Sequence, residues 1–159
     1  MTPPSLSKPE AQDFLSRVEF DDAARLSFVT SAIIVPAYDA VKRDFGIIRA
    51  EYMLLLCLSH YPVLTAQEVS RLTGRPRNSI SRAVHRMVSE GLIERAPDPG
   101  DGRQSRLSIT KAGRKLHDQI ASRMQQRQET VLAGLNASER KALSALLPKA
   151  SRYASELED

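Results

Sequence analysis

The residues best suited to chemistry lie between positions 75 and 89, where arginines alternate with small polar side chains. At about 100° per residue along a helix, these side chains face away from an apolar stripe, whose members are Ile80, Ala83, Val84, Met87 and Val88. Guanidinium, amide and hydroxyl groups can read base edges and bind phosphates. An exposed basic helix without a ligand is the alternative, although such a helix more often carries Glu and Lys pairs. The residues predicted to contact double-stranded DNA are Arg75, Arg77, Asn78, Ser79, Ser81, Arg82, His85 and Arg86, with Arg103 on a later loop.

The distribution of charge supports a polyanionic partner. Residues 71–115 hold 11 basic and 4 acidic side chains, a net charge of +7, whereas the whole chain of 159 residues carries +4. The remainder therefore sums to −3, so one segment carries the positive field. The length and the 42% hydrophobic content fit a soluble domain of ordinary size.

Two short helices must position these side chains. Thr65 and Glu68 have the spacing of a capping box, and Gly74 is expected to end the first helix. The second helix is predicted to begin near Pro76. Gly91 followed by an apolar residue is typical of a Schellman ending. The two helices with their tight turn predict a helix-turn-helix.

A strand, a loop and a second strand follow. LIERA (residues 92–96) can pair with RLSIT (residues 106–110), and the connector PDPGDGRQS forms a long hairpin tip. Such a hairpin is a wing, which places Arg103 where a narrow minor groove would lie. Asp98 and Asp101 are predicted to structure the wing. Asp101 could orient an arginine as an internal acceptor, or both aspartates could simply form turns.

The flanking segments predict dimerisation. We expect residues 1–12 to form a flexible tail and residues 13–46 to form an N-terminal dimerisation helix that Pro36 should kink or split. Residues 47–110 are predicted to form the DNA-binding lobe. Residues 111–159 are predicted to form the C-terminal dimerisation helices, the last of which Pro148 should bend. The run EYMLLLCL predicts a buried helix. The apolar stripes of the terminal helices exceed what a small winged domain can cover. The expected fold is mainly α (α+β), a winged helix-turn-helix with a two-stranded wing and terminal dimerisation helices.

Several other functions are disfavoured. The chain lacks a phosphate loop, a nucleophile elbow and a paired acid and base, so we expect no enzyme and no cofactor, although a small enzyme or a protein-interaction module remains the alternative from another class. Cys57, the one cysteine, excludes an intramolecular disulfide, and its apolar surroundings disfavour a redox-sensing regulator. Cys57 and His60 have metal-like spacing, but His85 and His117 lie on other helices. We therefore expect no zinc site. No stretch approaches the ~18 apolar residues of a membrane helix, and no export signal is evident, so a cytoplasmic location is expected.

The residues just described resemble the MarR family of winged-helix transcriptional regulators. The similarity is carried by LTAQEVSRLTG, RNSISRAVHRMVSEGLIER and DPGDGRQSRLSITKAG, and the helix order extends it over nearly the whole chain. The resemblance implies a homodimeric repressor that binds a pseudo-palindromic operator and is released by a small molecule. Gly102 and Pro76 depart from the usual family residues. Effectors of the family bind between the dimerisation helices and the DNA-binding lobe, which points to Phe28, Tyr38, Arg49 and Tyr52 and suits an aromatic or anionic ligand.

Overall fold

The computed structural model describes residue 17, residues 21–100 and residues 104–156. Within these ranges the chain is mainly helical, with a small antiparallel sheet, as the sequence predicted. The helices are α1 (Asp21–Phe45), α2 (Arg49–His60), α3 (Ala66–Thr73), α4 (Arg77–Ser89), α5 (Lys111–Val131) and α6 (Ala137–Glu156). The strands are β1 (Leu64–Thr65), β2 (Ile93–Pro97) and β3 (Ser105–Ile109).

Helix α2 forms the centre of the core. Its Leu54, Leu55 and Leu58 are fully buried, as the nearly continuous apolar run predicted. The core extends through α3, α4, the sheet and α5, contributed by Val69, Ile80, Met87, Ile93, Leu107 and Ile120. The core of the described chain is therefore built around α2.

The predicted caps of α3 and the end of α4 are confirmed. Thr65 Oγ1 accepts the Glu68 backbone N–H at 3.2 Å, and Glu68 Oε2 accepts the Thr65 N–H at 2.7 Å. Gly74 ends α3 with φ +61°, a left-handed conformation that favours glycine. At the end of α4, the N–H of Leu92 donates to the Met87 carbonyl at 2.9 Å, the long bond of the Schellman motif.

The sheet has three strands rather than the two that the sequence predicted. Strand order is β1-β3-β2, and both pairs are antiparallel. The predicted hairpin is confirmed, with Ile93 opposite Ile109. Strand β1 adds to the other edge, where Leu64 lies opposite Leu107. The wing is thereby tied to the residues that lead into α3.

Helix α1 runs through Pro36 without interruption, so the prediction that this proline could split the helix is wrong. Proline supplies no N–H to the carbonyl four residues earlier, which is that of Ala32. Arg127 Nη2, from α5, donates to this carbonyl at 3.3 Å. A side chain thus replaces the missing backbone bond. Helix α6 likewise continues through Pro148.

Helix α1 contradicts the expectation that no stretch of the chain approaches the apolar length of a membrane helix. Among the described residues it is the one helix that is long and apolar enough to cross a membrane. A single helix of this kind near the N-terminus indicates a span only weakly, because helices of soluble proteins pass the same test.

Helices α5 and α6 close the described chain. Thr110 caps α5 by accepting the Gly113 N–H at 3.0 Å. Among the α6 side chains described, from 137 to 151, only Arg140 and Leu143 are half-buried and the rest are exposed. Most of the surface of α6 therefore has no cover within its own chain.

Candidate nucleic-acid interface

Helix α4 separates an apolar face from a polar face as predicted. Ile80, Ala83, Val84 and Met87 are buried against the core. Val88, predicted to complete this stripe, is instead exposed. Most of the polar side chains predicted to contact DNA are exposed, namely Arg77, Asn78, Ser81, Arg82 and His85. Ser79 and Arg75 are half-buried. The exposed set forms a continuous polar face on α4.

A groove of about 430 Å³ lies beside this face, between α4, the start of α3 and the wing. Arg77, Ser81 and His85 line it from α4. It also brings in four residues that the sequence analysis missed, namely Gln67, Arg95, Gln104 and Ser105. The alternation of the wing strands was the available signal for Arg95 and Ser105, whose side chains meet at 2.9 Å (Arg95 Nε to Ser105 Oγ).

Asp98 is built into the wing, in line with its predicted structural role. Its Oδ2 accepts Arg106 Nε at 2.8 Å, and its Oδ1 accepts the Gly100 N–H at 2.7 Å. The Asp98 N–H donates to the Gln104 carbonyl at 3.1 Å. The predicted roles of Asp101 and Arg103 fall outside the described residues. The aspartate that orients an arginine in the described part of the wing is Asp98.

Arg86 lies beside the exposed polar face, and its contacts within the chain lend no support to its predicted contact with DNA. Its Nη1 donates to both carboxylate oxygens of Glu51, at 2.9 and 3.0 Å, and its Nη2 donates to the Gly46 carbonyl at 3.0 Å. Its Nε donates to Glu90 at 2.8 Å. The hydrogen bond to Glu90 and the charge of Glu51 raise the pKa of Arg86. Contacts within the chain therefore hold the half-exposed guanidinium, and its partner Glu51, which is 2% exposed, was missed by the sequence analysis. A lone acid at the start of an otherwise apolar helix was the available signal.

Three of the four predicted effector residues lie together. The guanidinium of Arg49 lies 5.2 Å from the centre of the Tyr38 ring, and the rings of Tyr38 and Tyr52 meet edge to face at 6.1 Å. Burial raises the pKa of Tyr38, although Arg49 opposes this shift, and burial also raises the pKa of Tyr52. Phe28 is exposed and lies ten residues, about 15 Å of helix, from Tyr38, so it does not join this cluster.

The cysteine and the histidines occupy separate surroundings. The His117 ring stacks on Tyr52 at 6.0 Å, and its Nε2 lies 3.2 Å from Ser59 Oγ. Within the described ranges, no group of three or more His, Cys, Asp or Glu residues is placed to hold a metal ion. Burial raises the pKa of the Cys57 thiol, which disfavours its reactive thiolate form.

Comparison with known proteins supports the same interpretation of the fold and family. The sequence model of the MarR family matches residues 45–104. The HTH-type regulator YybA of Bacillus subtilis is 23% identical over 119 residues, 72% of this chain and 79% of YybA. The HTH-type repressor NicR of Pseudomonas putida is 29% identical over 99 residues, 62% of this chain and 63% of NicR.

Solved structures show the same fold. Bordetella bronchiseptica BpsR, whose DNA binding is described as regulated by 6-hydroxynicotinic acid, superposes with a TM-score of 0.72 at 22% identity, covering 82% of this chain and 98% of BpsR. The proteins that this chain is similar to are transcriptional regulators, which are not enzymes. The match over the helix-turn-helix and wing, the regulator relatives and the shared fold together support a regulator of the MarR winged-helix family.

Proposed function

We propose that the protein is a homodimeric, sequence-specific repressor that binds double-stranded DNA through the polar face of α4 and the adjacent wing. The observation that carries this proposal is the exposed set Arg77, Asn78, Ser81, Arg82 and His85 beside the wing groove. Arginine and asparagine are suited to bidentate contacts with guanine and adenine edges. Arg75 just before α4, Ser79 in its first turn and Arg103 of the wing complete the proposed contacts.

Dimerisation follows from apolar surface that one chain leaves exposed. The exposed large hydrophobic side chains of α1 and α6 are Leu26, Phe28, Val29, Val35, Leu146 and Leu147. A single chain that keeps these residues in water loses the free energy of burying them. We propose that a second copy covers them, with α1, α5 and α6 as the dimerisation helices. The proposed dimer explains the apolar character of α1 without a membrane, and a cytoplasmic location accords with that role.

The DNA-binding proposal is tested by titrating the protein into labelled DNA from its own upstream region at several salt concentrations. We expect affinity to fall with salt, with a logarithmic slope of about −0.9 per neutralised phosphate.

Arg82→Ala should cost about 1 to 3 kcal/mol on the preferred site and relax sequence preference there. Arg103→Ala should weaken binding more evenly across sequences. Lys141→Ala, which removes an exposed charge from α6, is the matched control and should leave affinity unchanged. Full affinity in a folded Arg82→Ala variant would contradict the proposed DNA surface.

For the effector, we propose a small aromatic or anionic compound at the Tyr38–Arg49–Tyr52 cluster. An exposed guanidinium over a tyrosine ring suits a carboxylate attached to an aromatic ring. The relative BpsR makes 6-hydroxynicotinic acid a reasonable first probe. Addition of this probe should raise the melting temperature and weaken DNA binding of the parent, and Arg49→Met should reduce both effects. A response that is unchanged in Arg49→Met would place the ligand elsewhere.

Redox sensing through Cys57 is the weaker candidate, because burial holds its pKa above the ordinary value. Peroxide treatment of the parent and of Cys57→Ser tests it directly. We expect DNA binding to respond equally in both.

A further inference from the structure

Arg86 lies where three helices meet. Helix α1 ends at Phe45 and is followed by Gly46, α2 begins at Arg49, and α4 carries Arg86 itself. Through Nη2 the guanidinium holds the carbonyl of Gly46, and through Nη1 it holds the carboxylate of Glu51 in the first turn of α2. One side chain therefore joins the proposed dimerisation helix, the central helix and the helix that carries the DNA-contacting face.

Glu51 makes this junction rigid. Its Oε2 also accepts the Ile48 N–H at 2.9 Å, so the carboxylate is fixed by the backbone at the start of α2. The side chain is almost fully buried, whereas that of Arg86 is 42% exposed. A planar guanidinium bound at Nη1 and Nη2 to two partners constrains direction as well as distance.

The backbone around the junction allows little compensation. Gly46 has φ +68°, and a Cβ added there would lie 3.9 Å from Arg86 Nη2, so the guanidinium packs directly against this turn. The next residue, Ile47, is 1% exposed and anchored in the core. The connection between α1 and α2 is therefore short, anchored and bridged by Arg86.

We propose that Gly46, Glu51 and Arg86, which we term the hinge clamp, fix the orientation of α4 relative to α1 and thereby select the spacing of operator half-sites. This inference rests on the proposed function as a DNA-binding dimer. In a symmetric dimer, the angle between α1 and α4 in each protomer determines how far apart the two copies of α4 lie. Half-sites lie about one helical turn apart, and a change of two base pairs rotates one by about 70°. A rigid clamp rejects the altered spacing, and a loosened clamp tolerates it.

The test uses a duplex that the full-length parent selects from a random DNA library, and derivatives whose half-site spacing is changed by one, two or five base pairs. The variants are Glu51→Gln, Arg86→Gln, the double variant of these two, and Arg86→Lys. The matched control is Glu68→Gln, because Glu68 makes the same kind of N-terminal bond on α3, to the Thr65 N–H. Dimer mass and circular dichroism are recorded for every variant.

We expect the parent and Glu68→Gln to lose about tenfold or more in affinity when spacing changes by two base pairs, since mismatched register sacrifices contacts at one half-site. The clamp variants should lose less than about threefold, while their affinity for a single half-site stays at the parent value. Single variants that leave one buried charge unpaired can fail to fold. The double variant removes both charges, and Arg86→Lys retains the charge beside Glu51, so these two still give the answer.

Three results would overturn the inference alone, and a fourth would overturn it together with the proposed function. Folded clamp variants that discriminate spacing as strongly as the parent would show that the clamp does not set it. An equal loss of affinity at every spacing would reduce the clamp to a structural role. A parent that binds DNA without discriminating spacing would exclude the clamp's role and leave DNA binding intact. A parent that selects no DNA sequence would instead overturn the proposed function together with this inference.

Discussion

Three acidic side chains of the helix-turn-helix region and wing fix the backbone and arginines around them. Glu51 and Glu68 each accept a backbone N–H at the start of a helix. Asp98 accepts a backbone N–H in the wing and holds Arg106. Acids near a surface that we propose binds a polyanion are unfavourable there unless structural contacts favour them. Their contacts explain why a basic lobe retains them.

Glu68 makes stability depend on pH in a defined direction. Its hydrogen bonds from the backbone and side chain of Thr65 lower the pKa of this carboxyl in the folded chain. Its contribution to the free energy of unfolding is therefore complete above the unfolded-state pKa of about 4.3 and is lost as pH falls through the lower folded-state pKa. Thermal unfolding across the acid range should show the parent more stable than Glu68→Gln near neutrality, and the difference should vanish at low pH. Glu94→Gln, on the exposed side of β2, controls for the loss of one charge.

Gly113 is required for a close approach between α5 and the end of the helix-turn-helix. A Cβ at this position would lie 2.0 Å from the Leu92 carbonyl oxygen, a backbone atom that cannot rotate away. Gly113→Ala should lower the free energy of unfolding by about 3 kcal/mol or more, at the upper end of overpacking effects. The same substitution at Gly134, where a Cβ would meet nothing within 4 Å, should have little effect. Denaturant unfolding of both variants measures this difference, and equal stabilities would contradict the close contact.

At the scale of elements, one proline gives rise to a hydrogen bond between α1 and α5. Pro36 leaves the Ala32 carbonyl without its helical partner, and Arg127 of α5 supplies the donor. The Nε atom of Arg127 is buried and has no hydrogen-bond partner among the described residues, so this contact has a desolvation cost. Helix α1 thus depends on α5 for its continuity.

A double-mutant cycle tests this dependence. Pro36→Ala restores an N–H for the Ala32 carbonyl and should stabilise the protein by about 1 to 3 kcal/mol. Arg127→Met should destabilise the parent by about 1 kcal/mol. Its cost should fall in the Pro36→Ala background, where the backbone already satisfies Ala32. Stabilities that add within about 0.3 kcal/mol in denaturant unfolding would refute the coupling.

At the scale of the whole molecule, the terminal helices expose large apolar side chains that their own chain does not cover. The exposed leucines of α6 include Leu146, at 60% exposure. Residues of this kind on a long helix outside the core are expected to meet a second copy rather than water. In the proposed dimer, the spacing of the two proposed DNA-contacting faces is a property of the assembly.

Leu146→Glu tests the assembly. A charge in the proposed interface should dissociate the dimer or unfold the chain, because folding and association are coupled in such assemblies. Light scattering should give twice the chain mass for the parent and less for the variant. Leu72→Glu provides the matched control, since Leu72 is 48% exposed on α3, outside the proposed interface. A parent that remains monomeric at micromolar concentration would contradict the prediction.

The sequence by itself determined the features that depend on near neighbours. The capping box at Thr65 and Glu68, the glycine ends of α3 and α4 and the buried face of α4 were all predicted, because caps, left-handed glycines and helical periodicity are decided within about one or two turns. The wing hairpin was predicted for the same reason. Short-range signals therefore sufficed for the helix-turn-helix and for the family resemblance.

Tertiary structure alone decided the features whose partners are distant in sequence. Helical spacing placed Arg86 beside the residues predicted to contact DNA, but its guanidinium donates to Glu51 and Gly46, which lie 35 and 40 residues away. Pro36 keeps α1 continuous through a donor on Arg127, which bonds a carbonyl 95 residues distant. Strand β1 has two residues, too few for an alternating pattern, and exists because β3 pairs with it. In each case a hydrogen-bonding group is satisfied by a partner that only the folded chain brings within reach.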